Sequence, residues 1–230
     1  MNEAAWQRLS DWFAGNGWTP DAFQTQAWTA YTRGESGLIH AATGSGKSLA
    51  AWGGPLLEGL AEPTPRQAAA GRFRVMWITP LRALAEDTVR NLSTAAHGVG
   101  LDWRIEKRTG DTTSARRSRQ RRRPPEALVT TPESLSLLLS YRDAGRQFED
   151  LRAVIVDEWH ELIGTKRGVQ LELCLARLRR LSPGLRTWGL SATLGNLDEA
   201  RDCLLGAGSE TGHLIQGPPA RPIDIQTLEP

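Results

Sequence analysis

Seven short, mostly continuous apolar runs punctuate the chain, at 37–41, 73–79, 102–108, 127–130, 152–157, 186–191 and 223–228. Runs of this length without polar alternation suit strands buried on both faces. The stretches between them read as helices, at 47–60, 82–96, 112–122, 132–140, 170–181 and 197–205. Strand–helix alternation restricts the chain to an α/β fold: a mostly parallel central sheet with right-handed crossovers and helices on both faces. A length of 230 residues suits one such domain with additions. Ahead of the first strand, Trp6, Leu9, Trp12 and Phe13 lie near helical spacing, and Asn16-Gly17 ends that helix. A second helix follows Thr19-Pro20 and holds Phe23, Ala27, Trp28 and Tyr31. Gly53-Gly54-Pro55 should kink or stop the helix beginning at 47, because proline lacks an N–H and clashes with the preceding turn. Residues 61–71 read as a surface loop and residues 217–222 as a linker.

Composition excludes several classes. No apolar run reaches the ~18 residues of a membrane-crossing helix, and Met1-Asn2-Glu3 lacks the layout of a secretory signal. A cytoplasmic protein with no membrane partner is therefore expected, with Cys174 and Cys203 as buried, reduced thiols. A net charge of +2 does not make the whole molecule a basic nucleic-acid binder. The charge is unevenly placed, though: Arg116, Arg117, Arg119, Arg121, Arg122 and Arg123 form one dense block. Lysine occurs only at Lys47, Lys107 and Lys166, so a lysine inside a glycine loop stands out.

That lysine belongs to Ala41-Ala42-Thr43-Gly44-Ser45-Gly46-Lys47-Ser48, which follows an apolar strand and opens a helix. This is the context of a phosphate-binding loop. Thr43, Gly44, Ser45 and Gly46 can turn backbone N–H groups inward, and with the helix N-terminus these hold anionic oxygens. Lys47 should reach the β- and γ-phosphates of a nucleotide such as ATP, and Ser48 should offer its hydroxyl to Mg²⁺. A second signal lies about 110 residues on, where a buried strand ends in Asp157-Glu158-Trp159-His160. Strand ends of this kind line the ligand crevice of an open α/β sheet. Asp157 suits Mg²⁺, through a water, and Glu158 suits polarising an attacking water. A third apolar strand ends in Ser191-Ala192-Thr193, whose two hydroxyls can bond the His160 side of the acidic pair.

In this order the three segments resemble motifs I, II and III of the first RecA-like lobe of superfamily 2 DExH helicases. Phe23-Gln24 lies at the spacing of that family's Q-motif, and by resemblance Gln24 would hydrogen-bond the adenine edge. Thr79-Pro80-Leu81-Arg82 resembles motif Ia, Thr109-Gly110-Asp111 the glycine motif that follows, and Thr131-Pro132-Glu133-Ser134 motif Ib. In the family these loops touch the backbone of a single strand. Backbone N–H groups, short hydroxyls and helix N-termini suit that task without reading sequence. Wider wording, including Gly34-Glu35-Ser36-Gly37-Leu38-Ile39-His40 and Arg108-Thr109-Gly110-Asp111-Thr112, is similar to the Lhr-type (large helicase-related) group. Some bacterial members of that group are described as ligase-associated.

The resemblance implies residues 1–36 as N-terminal helices with the Q-motif, 37–216 as the ATP-binding RecA-like domain, and 217–230 as linker and strand toward a second RecA-like lobe. The chain is expected to end before that lobe, which would supply an arginine finger. By the same resemblance, Lys47, Asp157, Glu158 and His160 would serve hydrolysis, and Ser191 and Thr193 would relay lobe closure. The resemblance also implies ATP-driven 3′-to-5′ movement on single-stranded DNA, with RNA or a DNA–RNA hybrid as alternative track, and a role in DNA repair. The lobe alone is expected to be nearly inactive.

Blander readings stand beside these. The arginine block is either a helix lying near DNA or a solvated face. Trp6, Trp12, Trp28, Trp52, Trp77, Trp103 and Trp188 sit in apolar patterns and read as core or interface, while Trp159 is singled out for contact with a second lobe. Two rival functions also remain: a P-loop enzyme acting on a small molecule, and a non-catalytic nucleic-acid-binding module.

Overall fold

The computed structural model describes residues 2–62, 73–206 and 212–218. In chain order the elements are α1 (Glu3–Gly15), α2 (Ala22–Thr32), β1 (Gly37–His40), α3 (Lys47–Ala61), β2 (Val75–Ile78), a 3-10 turn (Arg82–Leu84) and α4 (Ala85–Gly98). Next come β3 (Ile105–Arg108), α5 (Ser114–Arg122), β4 (Ala127–Thr130), α6 (Pro132–Leu139), α7 (Ala144–Phe148) and β5 (Ala153–Val156). A second 3-10 turn (Trp159–Glu161) leads to α8 (Lys166–Leu181), β6 (Arg186–Ser191), α9 (Leu197–Leu205) and β7 (His213–Gln216).

The seven strands described form one sheet in the order β3-β4-β2-β5-β6-β1-β7, and every neighbouring pair is parallel. All C-terminal strand ends therefore gather on one edge. Pleating divides β1, β2, β4 and β5 between two cores. On β5, Ala153 and Ile155 join the cluster packed by α1, α2, α3 and α4, while Val154 and Val156 join the cluster packed by α6, α7, α8 and α9. The helices start where short polar side chains satisfy orphan N–H groups. Asn2 caps α1, Thr113 caps α5, Thr131 caps α6, Thr165 caps α8 and Asn196 caps α9.

The helix opened by Lys47 does not stop at Pro55 but runs on to Ala61. Its two glycines admit α2 at close range. A Cβ on Gly53 would lie 2.1 Å from Trp28 Nε1, and one on Gly54 would lie 2.3 Å from Tyr31 Cγ. An internal proline costs a helix about 3 kcal/mol. Burial of Trp28 and Tyr31 in this contact offsets it, at about 1.5–3 kcal/mol for each large apolar side chain.

Other expectations shift by a few residues. The segment at 82–96 opens with a 3-10 turn before α4, β3 begins at Ile105, and α8 starts four residues earlier than 170, at the Thr165 cap. Two elements were not expected, the five-residue α7 and the edge strand β7. β7 pairs with β1, and the next residue, Gly217, donates its N–H to His40 O at 2.8 Å. The expected strand at 223–228 lies outside the described residues, as do 63–71 of the expected loop and 219–222 of the expected linker. No described helix is long and apolar enough to cross a membrane.

Candidate functional site

β1 ends at His40, and the loop 41–46 carries the chain to the N-terminus of α3. Gly44 (φ 78°) and Gly46 (φ 89°) adopt left-handed backbone that side-chain-bearing residues rarely tolerate. Gly46 caps α3 without a side chain, leaving the helix N-terminus open. Thr43 and Ser48 are exposed, and Ser45 Oγ is buried without a hydrogen-bond partner. Lys47 is buried, and its ammonium donates to Ala41 O (2.7 Å) and Ala42 O (3.0 Å). Burial pulls its pKa below the usual lysine range, while Glu158 and Asp157 act in the opposite sense. The lysine and the acidic pair thus share one electrostatic neighbourhood, although β1 and β5 are separated in the sheet by β6.

Gln24 joins this loop from α2. Its Oε1 accepts from Asp21 N (2.9 Å), closing a capping box, and its Nε2 donates to Gly46 O (3.1 Å). A Cβ on Gly46 would lie 2.6 Å from that Nε2, so the contact requires glycine. Gln24 is buried, and its amide grips the glycine loop 41–46.

At the end of β5 both oxygens of Asp157 are held. Trp77 Nε1 donates to Oδ2 (3.2 Å) and Glu158 N donates to Oδ1 (3.0 Å). Burial, followed by the charge of Glu158, pushes the Asp157 carboxyl up to about 6. Among the described residues Glu158 is the only non-glycine with positive φ (46°), a conformation that costs roughly 1–3 kcal/mol and tends to accompany function. Its Oε2 is buried, lacks a hydrogen bond, and lies 3.5 Å from His160 Nδ1 at ion-pair distance. His160 Nδ1 also lies 3.3 Å from Ser191 Oγ at the end of β6. The expected second hydroxyl does not join: Thr193 is exposed, beyond the strand end, and only Ser191 reaches the histidine.

His40 was not anticipated. Its Nδ1 is buried and unpartnered, and burial, Lys47 and His160 together lower its pKa. The available signal was its place, one residue before the phosphate loop and level with Ser191 in the β1–β6 register.

The loops after β3, β4 and β2 lie side by side on the same edge, since Ile78, Thr130 and Arg108 are in register. Most of their short hydroxyls have local partners. Thr79, Pro80, Thr109, Thr131 and Pro132 are buried; Thr79 Oγ1 donates to Leu81 O (3.4 Å), and Thr131 caps α6. What faces outward is Arg82, Gly110, Asp111 and Glu133. Arg82 pairs with Asp111 (3.5 Å), and Arg167 pairs with Glu133.

Four arginines of the block have partners within the fold. Arg116 and Arg119 pair with Glu106 (3.4 and 3.1 Å), and Arg121 lies 4.2 Å over the Tyr141 ring. Arg117 Nη2 donates to Thr109 O (3.2 Å) and Gly110 O (2.6 Å), bracing that loop from below. Two further expectations fail. Trp159 is fully buried and donates from Nε1 to Ala200 O (2.8 Å), so it fills the core under α9 and presents no surface to a second lobe. Cys203 is exposed on α9, whereas Cys174 is buried as expected.

A glycine loop ending in a lysine, facing an Asp-Glu pair across an intervening strand, on a fully parallel sheet, defines a RecA-like lobe. Residues 21–200 match the DEAD/DEAH box helicase family, and the chain belongs to that family. Over 225 residues it is 37% identical to the Lhr helicase/uracil glycosylase of Escherichia coli K12, covering 91% of this chain and 14% of that protein. It is 40% identical over 225 residues to the ATP-dependent helicase Lhr-Core of Methanothermobacter thermautotrophicus, covering 90% and 25% respectively. Among solved structures, Mycobacterium smegmatis helicase Lhr bound to ssDNA and AMP-PNP matches with a TM-score of 0.83 at 35% identity, covering 94% of this chain and 28% of that one. The chain therefore spans between 14% and 28% of the length of these relatives.

Proposed function

We propose that this chain is the ATP-binding lobe of an ATP-dependent motor on nucleic acid, with single-stranded DNA as its track, 3′-to-5′ movement and a cytoplasmic role in DNA repair. The observation that supports this best is the convergence of Lys47, Asp157 and Glu158 on one sheet edge, beside the row of loops after β2, β3 and β4. The relatives named above, one of them solved with ssDNA and AMP-PNP, support the same reading.

In this reading the N–H groups from Thr43 to Ser48 and the open end of α3 bind the phosphates. Lys47 exchanges the carbonyls of Ala41 and Ala42 for phosphate oxygens. Gln24 holds the loop and offers the rest of its amide to the adenine edge. A divalent cation fits the residues present, because two carboxylates lie together and Glu158 Oε2 is buried without a hydrogen-bond donor. Ser48 and Asp157 would hold Mg²⁺, which when bound offsets charge on the β- and γ-phosphates. Glu158 orients the attacking water, and Ser191, through His160, reports the state of the site to the rest of the sheet edge. A second RecA-like lobe would complete the site with an arginine. Arg82, Asp111, Glu133 and the backbone of the loops at 79–82, 109–111 and 131–133 form the strand-gripping row.

The test is a titration of a non-hydrolysable ATP analogue with Mg²⁺, alone and with single-stranded DNA or RNA. Each ligand should change the other's affinity at least ~5-fold, the lower range of an allosteric coupling. Independent binding would favour a P-loop enzyme with a small-molecule substrate. Nucleic-acid binding indifferent to Lys47→Ala and Glu158→Gln would favour a non-catalytic module. The chain alone should hydrolyse ATP slowly; robust strand separation by these 230 residues contradicts the proposal.

A further inference from the structure

Buried indoles need an acceptor for their N–H, and three here find a backbone carbonyl, whereas Trp188 Nε1 has no partner. Trp28 donates to Leu49 O, Trp52 to Leu92 O and Trp159 to Ala200 O. Trp77 differs: among the described residues it is the one tryptophan whose N–H goes to a carboxylate, Asp157 Oδ2, at 3.2 Å. We infer that Trp77 is a positioning residue that sets the orientation of the Asp157 carboxylate for a divalent cation. The inference rests on the reading of Asp157 as a cation ligand.

Three features argue for positioning. Trp77 is fully buried on β2, beside Ile155 of β5 in the register, so it approaches Asp157 from the adjacent strand. Its ring is fixed edge-to-face on Trp52 (6.4 Å, 78°), and Trp52 packs on Trp103 (5.7 Å, 74°) and is tied by its own N–H to Leu92 O. The opposite oxygen of Asp157 accepts Glu158 N, so the carboxylate is pinned at both ends and cannot rotate. Each oxygen keeps a second lone pair for a cation or its water. Donors behind a ligating carboxylate commonly matter this way, and their loss typically weakens metal affinity 10–100-fold.

The experiment measures nucleotide binding by this chain, using a fluorescent ADP analogue, as Mg²⁺ is varied and then in EDTA. Trp77→Phe should raise the Mg²⁺ concentration for half-maximal binding about tenfold while leaving affinity in EDTA unchanged. Trp52→Phe, which loosens the same aromatic stack without touching Asp157, should leave both unchanged. If the phenylalanine variant does not fold, benzothienylalanine at position 77 keeps the tryptophan shape and deletes only the N–H, and the same shift is expected. Equal Mg²⁺ dependence in Trp77→Phe and the unmodified chain overturns the inference, as does an equal shift in Trp52→Phe. Mg²⁺-independent binding by the unmodified chain overturns the reading of Asp157 itself, and the inference with it.

Discussion

Ser191 Oγ and His160 Nδ1 meet at 3.3 Å, joining the end of β6 to the turn that follows β5. The contact couples two strand ends that hold different parts of the site, yet neither atom belongs to the phosphate loop. Ser191→Ala should therefore leave nucleotide affinity within about twofold but reduce the mutual effect of nucleotide and single-stranded DNA toward none. Paired titrations of both ligands read this directly.

Lys47 is buried and donates to two carbonyls, so its removal exposes opposing effects. Lys47→Met deletes a desolvated charge and should change thermal stability little. It also deletes a charge-assisted hydrogen bond to phosphate, worth about 1.5–3 kcal/mol, or roughly a 10- to 100-fold loss in ATP-analogue affinity. Calorimetry and a melting curve on one sample separate the two.

Asp157 carries a pH signature. Its carboxyl is raised to about 6 in the folded chain. An unfolded aspartate titrates near 3.9, so between about pH 4 and pH 6 the folded state binds the extra proton. Stability from this group is accordingly greatest below pH 4 and is lost as pH rises through 6, by an order of 2–3 kcal/mol. Asp157→Asn should flatten that slope and melt a few degrees higher than the unmodified chain at pH 8, while losing Mg²⁺-dependent nucleotide binding. An unchanged slope in the variant would show that another group carries the titration.

Arg117 braces the loop at 109–110 through its carbonyls and does not need to touch a ligand. Arg117→Ala should weaken single-stranded DNA binding and leave the salt slope unchanged, because no phosphate contact is lost. A shallower slope would instead make Arg117 a direct phosphate contact.

Gly53 tests the α2–α3 packing. Alanine would gain about 1 kcal/mol of helix propensity. The added Cβ would meet Trp28 Nε1 at 2.1 Å, and overpacking costs typically 1–3 kcal/mol. Gly53→Ala should lower the melting temperature, whereas Gly15→Ala, with nothing within 4 Å, should not.

Much of the architecture was legible because local and global signals agree. β4, β6 and α9 begin and end where their apolar runs and caps predict. Misreadings arose where a distant partner decided. Pro55 signals a kink or a stop, and the stop does not occur: the helix runs on to Ala61 with Trp28 and Tyr31 packed close against it. Trp159 stands in the acidic segment, and only the fold reveals that α9 covers it. β7 is four residues long and takes its strand character from pairing with β1. Within the site, the meeting of the glycine loop that ends in Lys47 with the acidic pair on one sheet edge was readable. The services of Trp77, Gln24 and His40 were not, since each depends on which strand or helix becomes a neighbour.

β7 lies at the margin of the described sheet and is fastened to β1 over four residues, with Gly217 still bonded to His40 and a Cβ there only 2.5 Å from that of Ala41. A displacement of the chain at Pro218 would thus be felt first at the base of the lysine-bearing turn, through Gly217 and its contacts with His40 and Ala41.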